Sequence, residues 1–177
     1  MENRQKKENE ILERLNQNLS IHLFIQEVIV LITESVDQLM LKVFRKDDYA
    51  VKYAVEPLLE GDGPLGQLSI RLKLLFALGA ISREVYEDIE LLLALNEVLS
   101  SDETKRFSFI DAEILGSIEM LHCINPLPKM MLFNLPEDQV DLQLEDLQKE
   151  RYQRMVKSSL VLSVTSLIAQ ILDTDVF

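Results

Sequence analysis

The chain has 177 residues, of which 47% are hydrophobic and 27% are charged, a balance that excludes a disordered chain and favours a soluble globular protein with a core of its own. Glycine and proline number five each, so the turn-dense all-β folds are disfavoured. Thirty acidic side chains against 18 basic ones give a formal net charge of -12, which opposes binding to the phosphates of free nucleic acid.

Two amphipathic helices are predicted at the start of the chain. Within residues 2–18, apolar side chains recur at helical spacing among charges, and we expect residues 1–10 to fray. Over residues 20–43 the apolar arc is wider, which predicts a central and largely buried helix. Its apolar stripe consists of Ile21, Phe24, Val28, Leu31, Ile32, Val36, Leu39, Met40 and Val43.

The next segment combines a short helix with the clearest turn signal of the chain. Asp47 and Asp48 are suited to cap a helix over residues 49–59. Pro57 lacks a backbone N–H and clashes with the preceding turn, so it predicts a kink or an early end one residue before it. The run GDGPLG at residues 61–66 then predicts a turn between helices.

The three glycines of that turn have the spacing G-x-G-x-x-G of a nucleotide-binding loop. Gly61, Gly63 and Gly66 follow a helical pattern, however, whereas the nucleotide motif follows a strand. Pro64 also lacks the donor that would bind a phosphate. A tight interhelical turn is therefore the favoured interpretation.

Residues 67–90 superficially resemble a helix-turn-helix, with one helix over 68–78, Gly79 in the turn and a second helix from Ser82. The second helix would be the recognition helix. Over residues 82–90 it carries one arginine and four acidic residues, a net charge of -3. Because this charge would meet the DNA phosphates, an antiparallel helix pair in the core is favoured over groove recognition.

The last third of the chain predicts two helices around an irregular connection. The helices cover residues 111–122 and a segment that begins between 137 and 145, and residues 124–137 form a proline-bounded connection that is not helical. The last helix aligns Val156, Leu160, Val164, Leu167 and Ile171. A strand over 160–164 is the weaker alternative, and the apolar stretch 158–172 is too short for a membrane span. In sum, the chain predicts an all-α single domain over residues 1–177, with roughly six to eight helices and no sheet.

Signals for catalysis, metal binding and secretion are weak. The single cysteine, Cys123, cannot form an internal disulfide and suits a reducing, cytoplasmic location. Glu119 and His122 supply one Glu-x-x-His unit, whereas a di-iron bundle needs two, and Leu19 stands where His22 would need a glutamate. We therefore predict neither an enzyme nor a bound metal or cofactor.

Residues 47–81, DDYAVKYAVEPLLEGDGPLGQLSIRLKLLFALGAI, resemble the mannitol operon repressor family of enteric bacteria and their relatives. The resemblance continues through REVYEDIELL, DAEILG, LHC and RYQRMVKSSLVLS, so that it covers about residues 11–171. It implies a negative regulator of the genes for mannitol uptake and breakdown, with an all-helical fold and without catalytic, cofactor or metal residues.

The acidity of the chain favours repression through a protein partner, such as the transcription machinery, a DNA-binding protein or a component of the sugar phosphotransferase system. Lys129, Met130, Met131 and Phe133 are the candidate partner surface, because methionine adapts to varied contacts. Packing of this run against the core is the alternative. An exposed apolar stripe on the first or last helix would favour a homodimer.

Two other mechanisms stay open. In the first, the protein is a small-molecule sensor that binds a sugar phosphate as an anion near Arg71, Lys73 and the turn at residues 61–66. In the second, it binds operator DNA directly. The basic clusters are Lys42, Arg45 and Lys46, and Arg151, Arg154 and Lys157; each is more typical of a solvated helix face than of a nucleic-acid patch.

Overall fold

The computed structural model describes residues 2–44, 48–101, 106–127 and 142–174. In these residues it has seven α-helices and no strand, which confirms the all-α prediction. The helices are α1 (Glu2–Leu15), α2 (Ile21–Val43), α3 (Tyr49–Leu59), α4 (Leu68–Ala77), α5 (Arg83–Ser101), α6 (Ala112–Glu119) and α7 (Leu142–Leu172).

Helix α2 is the centre of the bundle and packs against α1, α4, α5 and α7. Ser20 caps it, since the Ser20 hydroxyl accepts a hydrogen bond from the Leu23 N–H at 3.4 Å. Every member of the predicted apolar stripe is buried except Val43, which is partly buried. The period of the apolar residues alone therefore identified the central helix and its buried face.

Helix α7 is the second long core helix. By length and composition, an 18-residue stretch within Leu144–Leu172 is apolar enough to span a bilayer, so the apolar part is longer than residues 158–172. The core helix of a soluble protein meets the same criterion. All members of the predicted stripe on this helix are buried against the bundle, and residues 160–164 are helical rather than a strand.

The turn between α4 and α5 has the glycine-dependent geometry that the sequence predicted. Gly79 has a φ of 70°, the left-handed conformation that glycine adopts without strain. Its N–H donates to the Phe76 carbonyl, and the Ala80 N–H donates to the Leu75 carbonyl, both at 2.9 Å. This pair of bonds is a Schellman motif, and it ends α4 where α5 has to turn back.

The structure corrects the predicted end of one helix and confirms the turn after it. Helix α3 covers Tyr49–Leu59, the residues predicted for it, and continues through Pro57, so of the two effects predicted for this proline the early end is wrong. In the following turn, a side chain at Gly66 would place its Cβ only 2.5 Å from the Gly61 carbonyl oxygen. A Cβ at Gly63 would likewise lie 2.4 Å from the Pro57 carbonyl oxygen, whereas one at Gly61 would meet nothing within 4 Å. Glycine is therefore a steric requirement at the second and third positions of the turn and not at the first.

Helix α6 is shorter than predicted, because it ends at Glu119 and not at residue 122. The backbone N–H groups of His122 and Cys123 donate to the carboxylate of Asp88 on α5 and not to helix carbonyls. A side chain 34 residues away in sequence thus competes with the helix, a contact that no local pattern could reveal.

Candidate functional site

Arg71 joins three segments at one edge of the bundle. Its guanidinium donates to the carbonyls of Leu59 at 2.9 Å, Leu65 at 2.5 Å and Gly66 at 3.2 Å. It also forms an ion pair with Asp37 on α2. The Arg71 side chain is only 10% exposed, so one planar group with several donors fixes the end of α3, the turn and the start of α4 against α2.

Several large apolar side chains of α3 and α4 are exposed. Tyr49 and Tyr53 are 82% and 77% exposed and lie one turn apart on α3. On α4, the Phe76 ring stacks on Tyr86 of α5 with a centroid distance of 4.9 Å. We define the α3–α4 surface by its exposed large apolar residues: Tyr49, Tyr53, Leu58, Ile70, Phe76 and Leu78.

Carboxylates border these apolar residues in the same segment. Glu56, Glu60 and Asp62 are exposed on α3 and the turn after it. Exposed tyrosine and phenylalanine are enriched where proteins bind one another, and a charged rim selects partners of opposite charge. The α3–α4 surface is thus suited to a protein partner that presents apolar and basic groups.

Asp88 organises a second polar cluster between α5 and the segment after α6. Asp88 is 2% exposed, and its two carboxylate oxygens accept the N–H groups of His122 at 2.6 Å and Cys123 at 2.9 Å. The His122 Nε2 lies 3.0 Å from the Glu87 carboxylate, to which Arg83 donates at 2.6 Å. The predicted helix through residue 122 would have placed Glu119 and His122 on one face. Because His122 lies after the end of α6, the two residues do not share a helix face.

The ionisation of this cluster argues for a structural role. Burial, followed by the nearby charge of Asp88, raises the pKa of the Cys123 thiol to about 12, so the thiol is protonated and unreactive at neutral pH. Hydrogen bonds from Arg83 and then His122 lower the pKa of Glu87. Within the described residues, no three His, Cys, Asp or Glu side chains are grouped to hold a metal ion.

Many of the basic side chains form ion pairs or hydrogen bonds with other residues of the chain. The ion pairs of Arg and Lys include Arg14 with Glu27 and Glu34, Arg71 with Asp37, Arg83 with Glu87, Lys149 with Glu145, and Arg154 with Glu150. Lys157 donates to the Gln17 carbonyl and lies 5.9 Å from the centroid of the Phe24 ring, and desolvation lowers its pKa. In the second predicted basic cluster, Arg154 and Lys157 therefore have partners within the protein.

The structure describes only one of the two predicted sites, the anion site at Arg71 and Lys73. Lys129, Met130, Met131 and Phe133 lie outside the described residues, so a partner surface at this run stays a prediction. Of the other predicted pair, Lys73 is exposed, whereas the guanidinium of Arg71 is turned inward and hydrogen-bonded. An anion would have to compete with those bonds, and the anion site likewise stays a prediction.

Two exposed features were not located by the sequence analysis. The sequence contains one indication of the α3–α4 surface, because Tyr49 and Tyr53 are spaced four residues apart and lie outside the apolar stripe of α3. The other feature is a line of exposed apolar residues along α7, which is the kind of stripe that would favour a homodimer. This line consists of Leu144, Leu147, Met155 and Leu162.

Comparison with known proteins gives consistent matches over most of the chain. The family model described as mannitol repressor matches residues 7–172. The chain is 52% identical over 171 residues to the mannitol operon repressor of Escherichia coli K12, which covers 97% of this chain and 85% of that protein. It is also 26% identical over 166 residues to Fumarase E of the same organism, covering 93% of this chain and 96% of that one.

A solved structure has the same fold. It is the X-ray structure of the MtlR-HPr complex from Escherichia coli, in which the matching chain has a TM-score of 0.87 and 52% sequence identity. The match covers 93% of this chain and 98% of that chain. Residues 7–172, which the family model matches, include the elements that carry the Arg71 contacts and the Asp88 cluster.

Proposed function

The chain belongs to the mannitol repressor family, and we propose that it represses the genes of mannitol utilisation by binding a phosphotransferase-system protein of the HPr type. The observation that carries this proposal is the match, at 52% identity and a TM-score of 0.87, to a family member solved in complex with HPr. A net charge of -12 supports contact with a protein in place of DNA phosphates.

We place the partner on the α3–α4 surface. The two tyrosines of this surface, Tyr49 and Tyr53, are largely exposed, and the tyrosine side chain combines an apolar ring with a polar hydroxyl, as an interface anchor requires. The acidic rim of Glu56, Glu60 and Asp62 would orient a basic partner before contact. The run that contains Met130 and Met131 is the second candidate for this contact, as the sequence predicted.

Calorimetric titration of the purified chain with HPr tests the location. The double variant Tyr49→Ala/Tyr53→Ala is expected to bind at least about tenfold more weakly, because interface anchors each contribute about 1 to 2 kcal/mol or more. The matched control is Leu23→Ala/Val30→Ala, which removes exposed apolar residues from α2. Unchanged binding by the tyrosine variant, with a loss in Met130→Ser/Met131→Ser, would move the contact to that run.

A reporter fused to a mannitol operon promoter tests the function itself. In a host without its own repressor, we expect the chain to lower expression, and we expect this repression to change when the gene for HPr is deleted. Repression of equal strength with and without HPr would contradict a role for this partner. No repression in either host would contradict the regulatory proposal as a whole.

We also propose that the chain is not an enzyme, although one relative is Fumarase E. The buried carboxylate of Asp88 is occupied by two backbone donors, and the raised pKa of Cys123 leaves its thiol protonated. Neither group is poised for acid–base or nucleophilic work. Purified chain incubated with fumarate should form no malate above background, with Fumarase E as the positive control.

The remaining parts of the proposal concern DNA, domain organisation and location. We propose that contact with operator DNA is made by other proteins, that residues 1–177 form one domain, and that the protein acts in the cytoplasm. Gel retardation with operator DNA alone tests the first part. A specific complex at physiological salt, with a steep salt dependence, would show that the chain reads DNA itself.

A further inference from the structure

A groove of about 190 Å³ lies where α1, α2 and α7 meet. Its apolar side is formed by Ile11, which is 2% exposed, together with Ala169 and Leu172. Its polar lining is contributed by all three helices and by the residue after α7: Lys7, Glu8, Gln38, Lys42, Thr165 and Asp173. The groove is separate from the Arg71 contacts and from the Asp88 cluster.

The two lysines of the groove are bonded differently from the ion-paired cations of the bundle. The Lys7 ammonium donates to the Gln38 side-chain oxygen at 2.8 Å, and the Lys42 ammonium donates to the Leu172 carbonyl. Both acceptors are neutral, whereas Arg14 and Arg71, for example, pair with carboxylates. Because an ammonium has three N–H donors, each lysine has donors left for a ligand in the groove.

The lining suits a neutral ligand that carries several hydroxyl groups. Each hydroxyl both donates and accepts a hydrogen bond. The groove offers the remaining ammonium donors of Lys7 and Lys42, the amide N–H donors of Gln38, whose oxygen accepts from Lys7, and the Thr165 hydroxyl oxygen, whose proton is donated to the Val161 carbonyl. Glu8 and Asp173 also line the groove, and the repulsion by their carboxylates disfavours a phosphorylated ligand with its double negative charge. The C–H groups of such a ligand would pack against the apolar side.

The size of the groove also selects small ligands. A volume of about 190 Å³ is the room of roughly six water molecules at about 30 Å³ each. This is suitable for a molecule of the size of a monosaccharide or a linear polyol. We propose that the groove binds an open-chain sugar alcohol, a choice among polyols that rests on the proposed function in mannitol control.

A ligand in this groove would connect α1 to the rest of the bundle. It would touch Lys7 on α1, Gln38 on α2 and Thr165 on α7 at the same time. Helix α1 is otherwise held by Ile11 and Leu15 in the core and by the ion pairs of Arg14 with α2. Binding therefore stabilises the docked position of α1, which gives a sugar alcohol a route to influence the repressor.

The test is a titration of the intact chain with D-mannitol, followed by isothermal calorimetry and by the NMR shifts of methyl groups. Low millimolar ligand avoids the general stabilisation that concentrated polyols produce by exclusion. We expect saturable binding, with shifts concentrated at Ile11, Thr165 and Ala169. Lys7→Met and Lys42→Met, which keep the length of the side chain, should each weaken binding by about tenfold or more, as expected for hydrogen bonds to charged groups.

The control is Lys6→Met, which removes the neighbouring exposed lysine of α1 outside the groove lining and should leave binding unchanged. Mannitol 1-phosphate should bind more weakly than mannitol. The inference is overturned if mannitol does not bind, if the shifts map to another site, or if Lys6→Met weakens binding as much as Lys7→Met. None of these results would affect the separate titration with HPr, which tests the proposed function.

Discussion

The α2–α7 core and the α3–α4 edge are built by different physical means. Helix α2 buries one continuous apolar face against α7 and three other helices. Among the described side chains of α3, by contrast, only Val55 is buried, and Arg71 ties this helix to the bundle through carbonyls and Asp37. Stability is therefore concentrated in the core, while the edge leaves Tyr49 and Tyr53 exposed to solvent.

The largest expected effect is on the core side of this comparison. Phe24 is fully buried and packs edge-on against Phe109 with a centroid distance of 5.5 Å. Phe24→Ala should lower the free energy of unfolding by about 3 to 5 kcal/mol, because it removes apolar contacts and leaves a cavity. Leu23→Ala, at the adjacent but 52% exposed position, should change it by less than about 0.5 kcal/mol.

Chemical denaturation followed by circular dichroism measures both variants. A similar loss in the two would show that the core does not depend on the buried face of α2, and the contrast with the edge would then fail.

The next effect concerns the edge. Arg71→Met removes the donors to Leu59, Leu65 and Gly66, and we expect a loss of about 2 to 3 kcal/mol in local stability, the range of hydrogen bonds to a charged group. Hydrogen exchange should accelerate over residues 59–71 and stay slow in α2. Arg71→Lys should not restore protection, since a single ammonium cannot reach all these acceptors at once. Equal acceleration in α2 would show that the edge and the core unfold together.

The smallest expected effect on stability at neutral pH comes from Cys123. Its pKa is raised from 9.0 to about 12, so the protonated thiol contributes stability below the ordinary pKa. This contribution is lost as the pH rises towards 12, because the unfolded chain releases the proton first. At pH 8, alkylation of the folded protein by iodoacetamide should be slower than that of the unfolded chain by about tenfold or more, because the smaller thiolate fraction outweighs the higher nucleophilicity of a more basic thiolate.

Asp88→Asn sharpens this measurement. Burial is the largest cause of the raised pKa of Cys123 and Asp88 is the next, so the variant should recover only part of the alkylation rate. Alkylation of the native protein at the rate of the unfolded chain would contradict the buried position of the thiol.

Local patterns in the sequence were sufficient for most of the helices. The 3.6-residue period identified the buried faces of α2 and α7, and Gly79 marked the end of α4, because these features depend on residues that are close in the chain. The prediction for α6 was wrong at its end, since Asp88 accepts the N–H groups of His122 and Cys123. The early helix end predicted at Pro57 was also wrong, because α3 continues for two residues beyond this proline.

The sequence by itself determined the all-helical class, the acidic charge and the resemblance to mannitol operon repressors. Only the tertiary structure decided which polar groups meet. Arg71 has the same local pattern as an exposed helix cation such as Lys73, yet it is buried among three carbonyls and Asp37. The groove of Lys7, Lys42 and Thr165 likewise joins residues from both ends of the chain. The physical reason is that the burial and hydrogen bonding of a polar side chain depend on distant segments, whereas helix formation depends on near neighbours.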